Sequence, residues 1–339
     1  MTTAAANVPR IVVVSLNWNA KEDTLALLRS ITPQLEPGEV VIVVDNASAD
    51  ASREVIADEF PKVEVVANER NLGFAGGCNA GMERARAHSP DWILVLNNDT
   101  DPPPGFLGEL RAAATAHGDR FAAMQPLLVR ASDPLRVDTA GVLLPKVPGA
   151  RDLGANRPVG SVGLRPREIF GANGAALLLR ADEAERLRGF DDTLFILFED
   201  VELALRLRAA GQRALLLPHI QLPHRRGISG ASTPRDRQSA RRRRAWLQRN
   251  IVALAIRAWP ASTLLWCAPI LLMRTILAWW WSRPFPDIRC APLWRDGWRR
   301  RSALRRGLRS HGADAWFGCD PLAKGSNTRL DDPRELGEF

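Results

Sequence analysis

Two acidic segments carry the chemistry that this chain is equipped to do. Phe198-Glu199-Asp200-Val201-Glu202 puts three carboxylates at the start of a helical stretch, and Asn97-Asn98-Asp99-Thr100-Asp101 follows directly on the apolar run Trp92–Leu96. A carboxylate in the first segment can take the proton of a hydroxyl as it attacks an electrophilic carbon, a role worth about 10²–10⁴-fold in rate. Asp200 is the expected base, with Glu199 as its catalytic neighbour. Asp99 in the second segment can hold Mg²⁺ or Mn²⁺, hard ions that share one or two carboxylates with substrate phosphates. His224, in His-Arg-Arg-Gly-Ile-Ser, is placed to complete that metal site or to touch a phosphate. Plainer uses exist for each group. First-turn acids stabilise a helix dipole, Asp101 also opens the Pro-rich turn 101–104, and a lone histidine often sits on a surface.

A substrate that suits such a set is a nucleotide diphosphate sugar, which offers a base, a ribose, two phosphates and a leaving group that gains negative charge. Asp45, just past a buried strand in Asp-Asn-Ala-Ser, is placed to read a base edge or a ribose hydroxyl, although an aspartate there also suits a turn. Asn71-Leu72-Gly73-Phe74-Ala75-Gly76-Gly77-Cys78-Asn79 joins a Gly-rich turn to a helix start, where backbone N–H groups approach a ligand closely. Its spacing is not GxGxxG, and no GxxxxGK[ST] occurs, which excludes the usual dinucleotide and P-loop signatures.

These residues need a scaffold, and the hydrophobic pattern describes one. Ile11–Leu16, Val40–Val44, Val63–Val66 and Trp92–Leu96 read as buried strands, separated by helices over 22–31, up to Phe60 from a cap at Ser48 or Asp50, and over 76–87. Alternation at this spacing predicts an α/β fold with a mostly parallel sheet, whose ligands bind beyond the carboxyl ends of the strands. Polar residues collect at those ends: Asn17 to Asn19, Asp45 and Asn46, and Asn97 to Asp99. The Pro- and Gly-rich stretch 144–166 reads as loop lying over or beside the site. Beyond it the pattern predicts a strand over 175–179, helices over 182–188 and 201–210, and a last strand over 214–217, with His224 shortly after it.

From about Ser229 the character changes, dividing the chain into a catalytic part, 1–228, and a helical, basic, Trp-rich extension, 229–339. The net charge of +8 belongs to this last third, where Arg225–Arg244 and Trp294–Arg309 are crowded with arginine. Such a bias attracts anionic surfaces. The segment 258–281 is long enough for a membrane span, but Pro260, Pro269, the internal Arg274 and arginines on both flanks predict an interfacial segment instead. The alternative is that these helices pack on the catalytic part or on a second subunit, as in a homo-oligomer. Four scattered cysteines without a CxxC pair give no zinc or disulfide framework, and Met1–Arg10 lacks the pattern of a secretion signal, so a cytoplasmic protein on the inner face of the cell membrane is expected.

The ordered set of motifs resembles the family 2 glycosyltransferases, most closely their rhamnosyltransferase-like branch. It comprises Val-Ser-Leu-Asn-Trp-Asn ending at Asn19, Val-Val-Asp-Asn-Ala-Ser ending at Ser48, and the segments 71–79 and 96–100, followed by Gly-Ala-Asn-Gly-Ala at 171–175, Gly-Phe-Asp-Asp at 189–192 and Phe-Glu-Asp-Val-Glu-Leu at 198–203. The resemblance implies a GT-A fold, a nucleotide diphosphate sugar donor and inversion by one in-line displacement. It implies that Asp45 contacts the base, with Asn17, Asn19, Asn71, Gly73, Asn79 and Asn97 in the donor pocket. It further implies that Asp99 binds Mg²⁺ or Mn²⁺ through a DXD-like motif, that His224 is a further metal or pyrophosphate ligand, and that Asp200 is the base. Asn97 replaces the first acid of a strict DXD, and Glu202 stands where many relatives have Asp.

By the same resemblance the leading donor is dTDP-rhamnose, and the acceptor is a saccharide hydroxyl, lipid-linked, in cell-surface polysaccharide synthesis. A polyprenyl-phosphate sugar transferase of the same fold is the alternative enzyme. A nucleic-acid-binding protein is the remote one, because the arginines lie among tryptophans and aliphatics and not on a recognition module.

Overall fold

The computed structural model describes residues 8–226 and 234–323, the side chains of 234–237 excepted. The first half alternates as the apolar periodicity predicts: β1 (Ile11–Asn17), α1 (Lys21–Ile31), β2 (Val40–Asp45), α2 (Ser52–Glu59), β3 (Glu64–Ala67), α3 (Gly73–Ala85), β4 (Trp92–Leu96) and α4 (Phe106–His117). Then come β5 (Ala123–Arg130), β6 (Asp133–Thr139), β7 (Val142–Leu143), β8 (Arg151–Asp152), β9 (Arg167–Ile169), β10 (Ala176–Arg180), α5 (Ala181–Leu187), α6 (Glu199–Ala209) and β11 (Ala214–His224). The chain ends in α7 (Pro234–Ala258), α8 (Ala261–Trp266), α9 (Ala268–Ser282) and α10 (Cys290–Ser310). The expected division at 228/229 lies outside the described residues, as do Met1–Asn7 of the leader.

The large sheet has the order β3-β2-β1-β4-β10-β5-β11-β9, with β6 paired to β5. Strands β3, β2, β1 and β4 are parallel, as expected, but β10 runs antiparallel between β4 and β5. A buried apolar run such as Ala-Leu-Leu-Leu carries no mark of direction. That inversion matters, because it brings the start of β10 to the same edge as the ends of β1, β4, β5 and β11.

Side-chain parity explains why β1, β2 and β4 are apolar along nearly their whole length. Val12 and Val14 of β1 face a core shared with Ala75, Cys78 and Met82 of α3, while Ile11 and Val13 face Leu25, Leu28 and Ile31 of α1 and Phe106 and Leu110 of α4. Both faces of the sheet are covered, so neither can be polar. The glycines of α3 serve this packing: a Cβ at Gly81 would lie 2.3 Å from Val14 Cγ1. Neither expected cap of α2 serves it as such. Ala51 holds the N-cap position in the left-handed region, Ser48 accepts from Asn17 and the Asn19 N–H, and Asp50 accepts from the N–H groups of Lys21 and Ser52.

The C-terminal helices share a core with α6 and with the residues around Phe170. Leu254, Ala258 and the fully buried Trp259 pack with Val201, Ala204 and Leu205 of α6 and with Phe170. Several of the arginines that dominate this region are structural. Arg257, 1% exposed, pairs with Asp191 at 2.6 Å, and Arg301 and Arg305 donate to the last carbonyls of α7 and to Trp259 O. Those carbonyls would otherwise lack partners.

Candidate active site

The polar ends of β1, β4, β10 and β11 meet the start of α6 around one cleft of about 850 Å³. Asn97, Asp99, Glu199, Asp200 and His224 all line it, together with Trp18, Asn173, Gly174, Asp152 and Arg226. Its size is that of ordinary small-molecule sites.

Backbone pairing fixes Asp99 beside His224. Residue 224 is the last of β11, not a loop residue beyond a short strand; a bulge between Leu217 and Gln221 re-registers this strand. The strand end then bridges Thr100, the Arg225 N–H donates to Asp99 O at 2.9 Å, and the Asp101 N–H donates to Pro223 O at 2.9 Å. As a result His224 Nε2 lies 3.1 Å from Asp99 Oδ1, while Nδ1 lies 2.8 Å from Oδ2 of the buried Asp138 on β6. Asp138 also meets Arg226 Nε at 2.5 Å. Burial disfavours the imidazolium, but the hydrogen bonds and charges of Asp138 and Asp99 outweigh it and raise the pKa of His224 to about 9. The same pairing holds the Asp138 carboxyl below its ordinary range, despite its burial.

Among the described residues no three His, Cys, Asp or Glu side chains are grouped to hold a metal ion, so Asp99 and His224 could give a divalent cation two ligands, with substrate phosphates supplying others. Two cis ligands at the ~2.1 Å typical of Mg²⁺ would be about 3.0 Å apart, close to the Asp99–His224 separation. The field that favours a proton on His224 would favour another positive charge there. Metal-bound histidines typically give their other ring nitrogen to a carboxylate, as His224 gives Nδ1 to Asp138. Sequence reasoning missed Asp138, which lies with Val137 and Thr139 at the buried end of β6, a strand whose first four residues are exposed.

The acids of α6 are held differently. Asp200 Oδ2 accepts from the Gly174 N–H at 3.0 Å and Oδ1 from its neighbour Val201 at 2.7 Å. Burial still pushes its pKa up, assisted by the charge of Asp152 and opposed by those two N–H groups. Glu199 is more deeply buried. Its Oε2 has no hydrogen-bond partner, and burial together with the charge of Asp200 raises its pKa to about 8.

The segment leading into α6 is strained, with φ of 65° at Phe195, 72° at Leu197 and 72° at Phe198. Such conformations cost about 1–3 kcal/mol each and persist only where the surroundings over-determine them. Phe195 sits on the start of α3: its carbonyl accepts from the Ala75 N–H, and a Cβ at Gly73, whose own φ is +75°, would lie 2.3 Å from that oxygen.

The remaining expected residues form a polar lattice beside the cleft. Asn17 donates to Asp45 and Ser48 and accepts from Thr24, and Asp45 is fully buried against Asn17, the Ser48 N–H and Arg53. Asn19, exposed, accepts from the Ala49 N–H, and Asn71 accepts from Asn46 and the Gly73 N–H. Asn79 does not join the cleft. Both ends of its amide are spent on the Phe190 backbone, at 2.9 and 2.8 Å, and it borders a separate cavity under α3 and α5. The Pro- and Gly-rich middle does reach the site, through Asp152, which accepts from Asn173 and from Arg226.

Comparison with known proteins gives the arrangement its context. The sequence profile of Glycosyl transferase family 2 matches residues 11–153, and that of Glycosyl transferase family group 2 matches residues 92–298. An N-acetylglucosaminyl-diphospho-decaprenol L-rhamnosyltransferase of Mycobacterium tuberculosis is 25% identical over 260 residues, covering 69% of this chain and 82% of its own. Among solved structures, GalNAc-T7 with UDP, GalNAc and Mn²⁺ superposes with a TM-score of 0.63 at 14% identity, over 93% of this chain. This chain spans 59% of the length of that structure. The mannosyltransferase PcManGT of Pyrobaculum calidifontis, in complex with GDP-Man and Mn²⁺, gives 0.50 at 19% identity, over 90% of this chain and 88% of its own. The fold is of GT-A type.

Proposed function

Since the chain belongs to glycosyltransferase family 2, we propose that it transfers L-rhamnose from dTDP-rhamnose, with inversion, to a hydroxyl of a lipid-linked saccharide in cell-surface polysaccharide synthesis. The observation that carries this reading is the convergence of Asp99, His224, Glu199 and Asp200 on one cleft at the carboxyl edge of the sheet. The rhamnosyl donor and lipid-linked acceptor rest on the mycobacterial relative, whose name includes both.

Asp200 is the base: it takes the acceptor hydroxyl proton as the oxygen attacks the anomeric carbon. The N–H groups of Gly174 and Val201 keep its carboxylate aimed into the cleft. Burial and the charge of Asp200 raise the pKa of Glu199 beside it to about 8, which favours its neutral form. Asp99 and His224 would hold Mg²⁺ or Mn²⁺, which when bound offsets the charge growing on the departing nucleoside diphosphate. Asp138 fixes the ring of His224, and the lattice of Asn17, Asp45, Asn71 and Gly73 shapes the donor side. The test is a panel of nucleotide sugars with and without Mn²⁺ or Mg²⁺. Metal-dependent turnover of dTDP-rhamnose is the expected result, and turnover of UDP-hexoses alone would remove the rhamnosyl assignment.

The acceptor side faces a membrane surface in this reading. No described helix is long and apolar enough to cross a membrane. Yet Leu265, Trp266, Leu272, Met273, Ile276, Trp279 and Trp280 are exposed along α8 and α9. Arg283 lies over the Trp279 ring, and Arg241 and Arg244 lie over Trp281, an aromatic and cationic border suited to anionic headgroups. The protein should sediment with phosphatidylglycerol vesicles and far less with phosphatidylcholine, and Trp279→Ser with Trp280→Ser should weaken the association. Wild-type protein that ignores both vesicles would refute this placement.

A further inference from the structure

We propose that Asn250, on α7, is a positioning residue for the transfer step, holding the loop 194–198 from which the candidate base projects. The proposal rests on Asp200 being that base. Nothing in the motifs of the catalytic part points to a residue so far along the chain.

Three of the five residues of this loop have positive φ, so the loop's own backbone does not favour its shape. Three of its carbonyls turn to one side chain instead. Asn250 Nδ2 donates to Leu194 O at 3.0 Å, Ile196 O at 2.9 Å and Leu197 O at 2.8 Å. Asn250 is fully buried, and Arg249 Nε donates to its Oδ1 at 2.9 Å. An amide oxygen accepts and an amide nitrogen donates, so that bond fixes which end of the amide faces the loop. Arg249 also donates to Thr193 O, and the Phe195 ring stacks on Trp246 with centroids 4.7 Å apart. One turn of α7 thus grips the loop and the residue before it through hydrogen bonds and a stacked ring.

The other side of the loop is the site. Ile196, Leu197 and Phe198 line the cleft, Phe198 is the residue before α6, and Glu199 and Asp200 follow it. At its near end Phe195 closes over Gly73 and accepts from Ala75, the start of the helix beside the donor lattice. A shift of the loop would therefore move the base relative to the donor side. Misplacement of a reacting group by about 1 Å costs on the order of 10²-fold in rate.

The experiment compares Asn250→Ala with Leu254→Ala, a truncation in the same helix that lies in the core shared with α6 and Phe198 but removes no hydrogen bond to the loop carbonyls. Asn250→Ala is expected to lower kcat about 10²-fold, with donor affinity changed less than about threefold. Its acid limb should move to lower pH as Asp200 becomes better hydrated. Leu254→Ala should lower the melting temperature and leave kcat and the pH profile near wild type. Hydrogen exchange, followed without donor or metal, should quicken at the Ala75 amide and across 194–201 in Asn250→Ala only. Asn250→Asp, equal in size, should act like the alanine variant because it removes both donors, and it serves if the alanine variant does not fold. Unchanged kcat and pH profile in a folded Asn250 variant would overturn the proposal, as would equal losses in Leu254→Ala. Absence of turnover in the wild type would instead defeat the rhamnosyltransferase reading, and the exchange measurement would still decide whether Asn250 holds the loop.

Discussion

Asp200→Asn is expected to lower kcat by about 10²–10⁴-fold, the range of a general base, while donor affinity stays close to wild type. The substitution keeps size and shape. It replaces one acceptor oxygen with a donor, so either the Gly174 or the Val201 N–H loses its partner, at a stability cost of about 1–3 kcal/mol. That is too small to explain the rate loss in a protein that still folds. The pH profile supplies the sign. The base acts in its deprotonated form, and burial raises the pKa of Asp200 above the ordinary carboxylate value. The acid limb of kcat should therefore lie above the range of an exposed aspartate, with activity rising through it as pH increases. Glu199→Gln imitates the neutral form that its raised pKa already favours, so it should cost far less than Asp200→Asn. A polyprenyl phosphate acceptor arrives already ionised and needs little deprotonation. Retention of most activity in Asp200→Asn, with strict dependence on Asp99, would exchange the hydroxyl acceptor for a phosphate.

The residues proposed for this chemistry are legible in the sequence because strand ends in a parallel α/β sheet are also where polar residues are permitted. Asn97 to Asp99 and Asn17 to Asn19 interrupt apolar runs at the end of β4 and β1, and the acids of 198–202 precede a clear helical period. What the sequence did not give was contact across the chain. The apolar run of β10 has the same pattern in either direction, so its antiparallel insertion was invisible. Strands β5 and β6 were hidden because Gln125, Pro126 and the exposed start of β6 break the alternation. Helix α4, with Phe106, Leu107 and Leu110 at core spacing, is masked in the sequence by the prolines at 102–104. Asn79 looked like part of the Gly-rich donor turn by adjacency alone, yet helical rotation carries it to the Phe190 backbone. The arginines misled in a different way. Their number suggests an anionic partner, but Arg257, Arg301 and Arg305 are committed to buried acids and helix-end carbonyls. The basic composition is thus partly a device for docking α7 and α10, which weakens any inference from net charge to nucleic acid.

Asp138 separates a metal site from a mere ion-pair cluster, and it does so through its effect on affinity. If Asp99 and His224 hold a cation, Asp138 acts only through the imidazole, so Asp138→Asn should raise the Mn²⁺ concentration for half-maximal activity about 10–100-fold. Saturating Mn²⁺ should then restore most of kcat. The asparagine can still accept from Nδ1, which preserves the ring's orientation, but it removes the charge that makes the ring a stronger donor to a metal. Asp99→Ala deletes a ligand outright. Its loss should exceed about 10²-fold, the upper range for an outer partner, and high Mn²⁺ should not rescue it. Stability gives an independent check, because Asp138 also pairs with Arg226, which ties Asp152 and the 144–166 segment to the cleft. Arg226→Gln should therefore disturb that segment without shifting Mn²⁺ activation as Asp138→Asn does. Parallel losses in all three variants at every Mn²⁺ concentration, or wild-type activity that persists in excess EDTA, would mean that Asp99, His224 and Asp138 are a structural charge cluster and that donor diphosphate is neutralised by the arginines of the cleft instead.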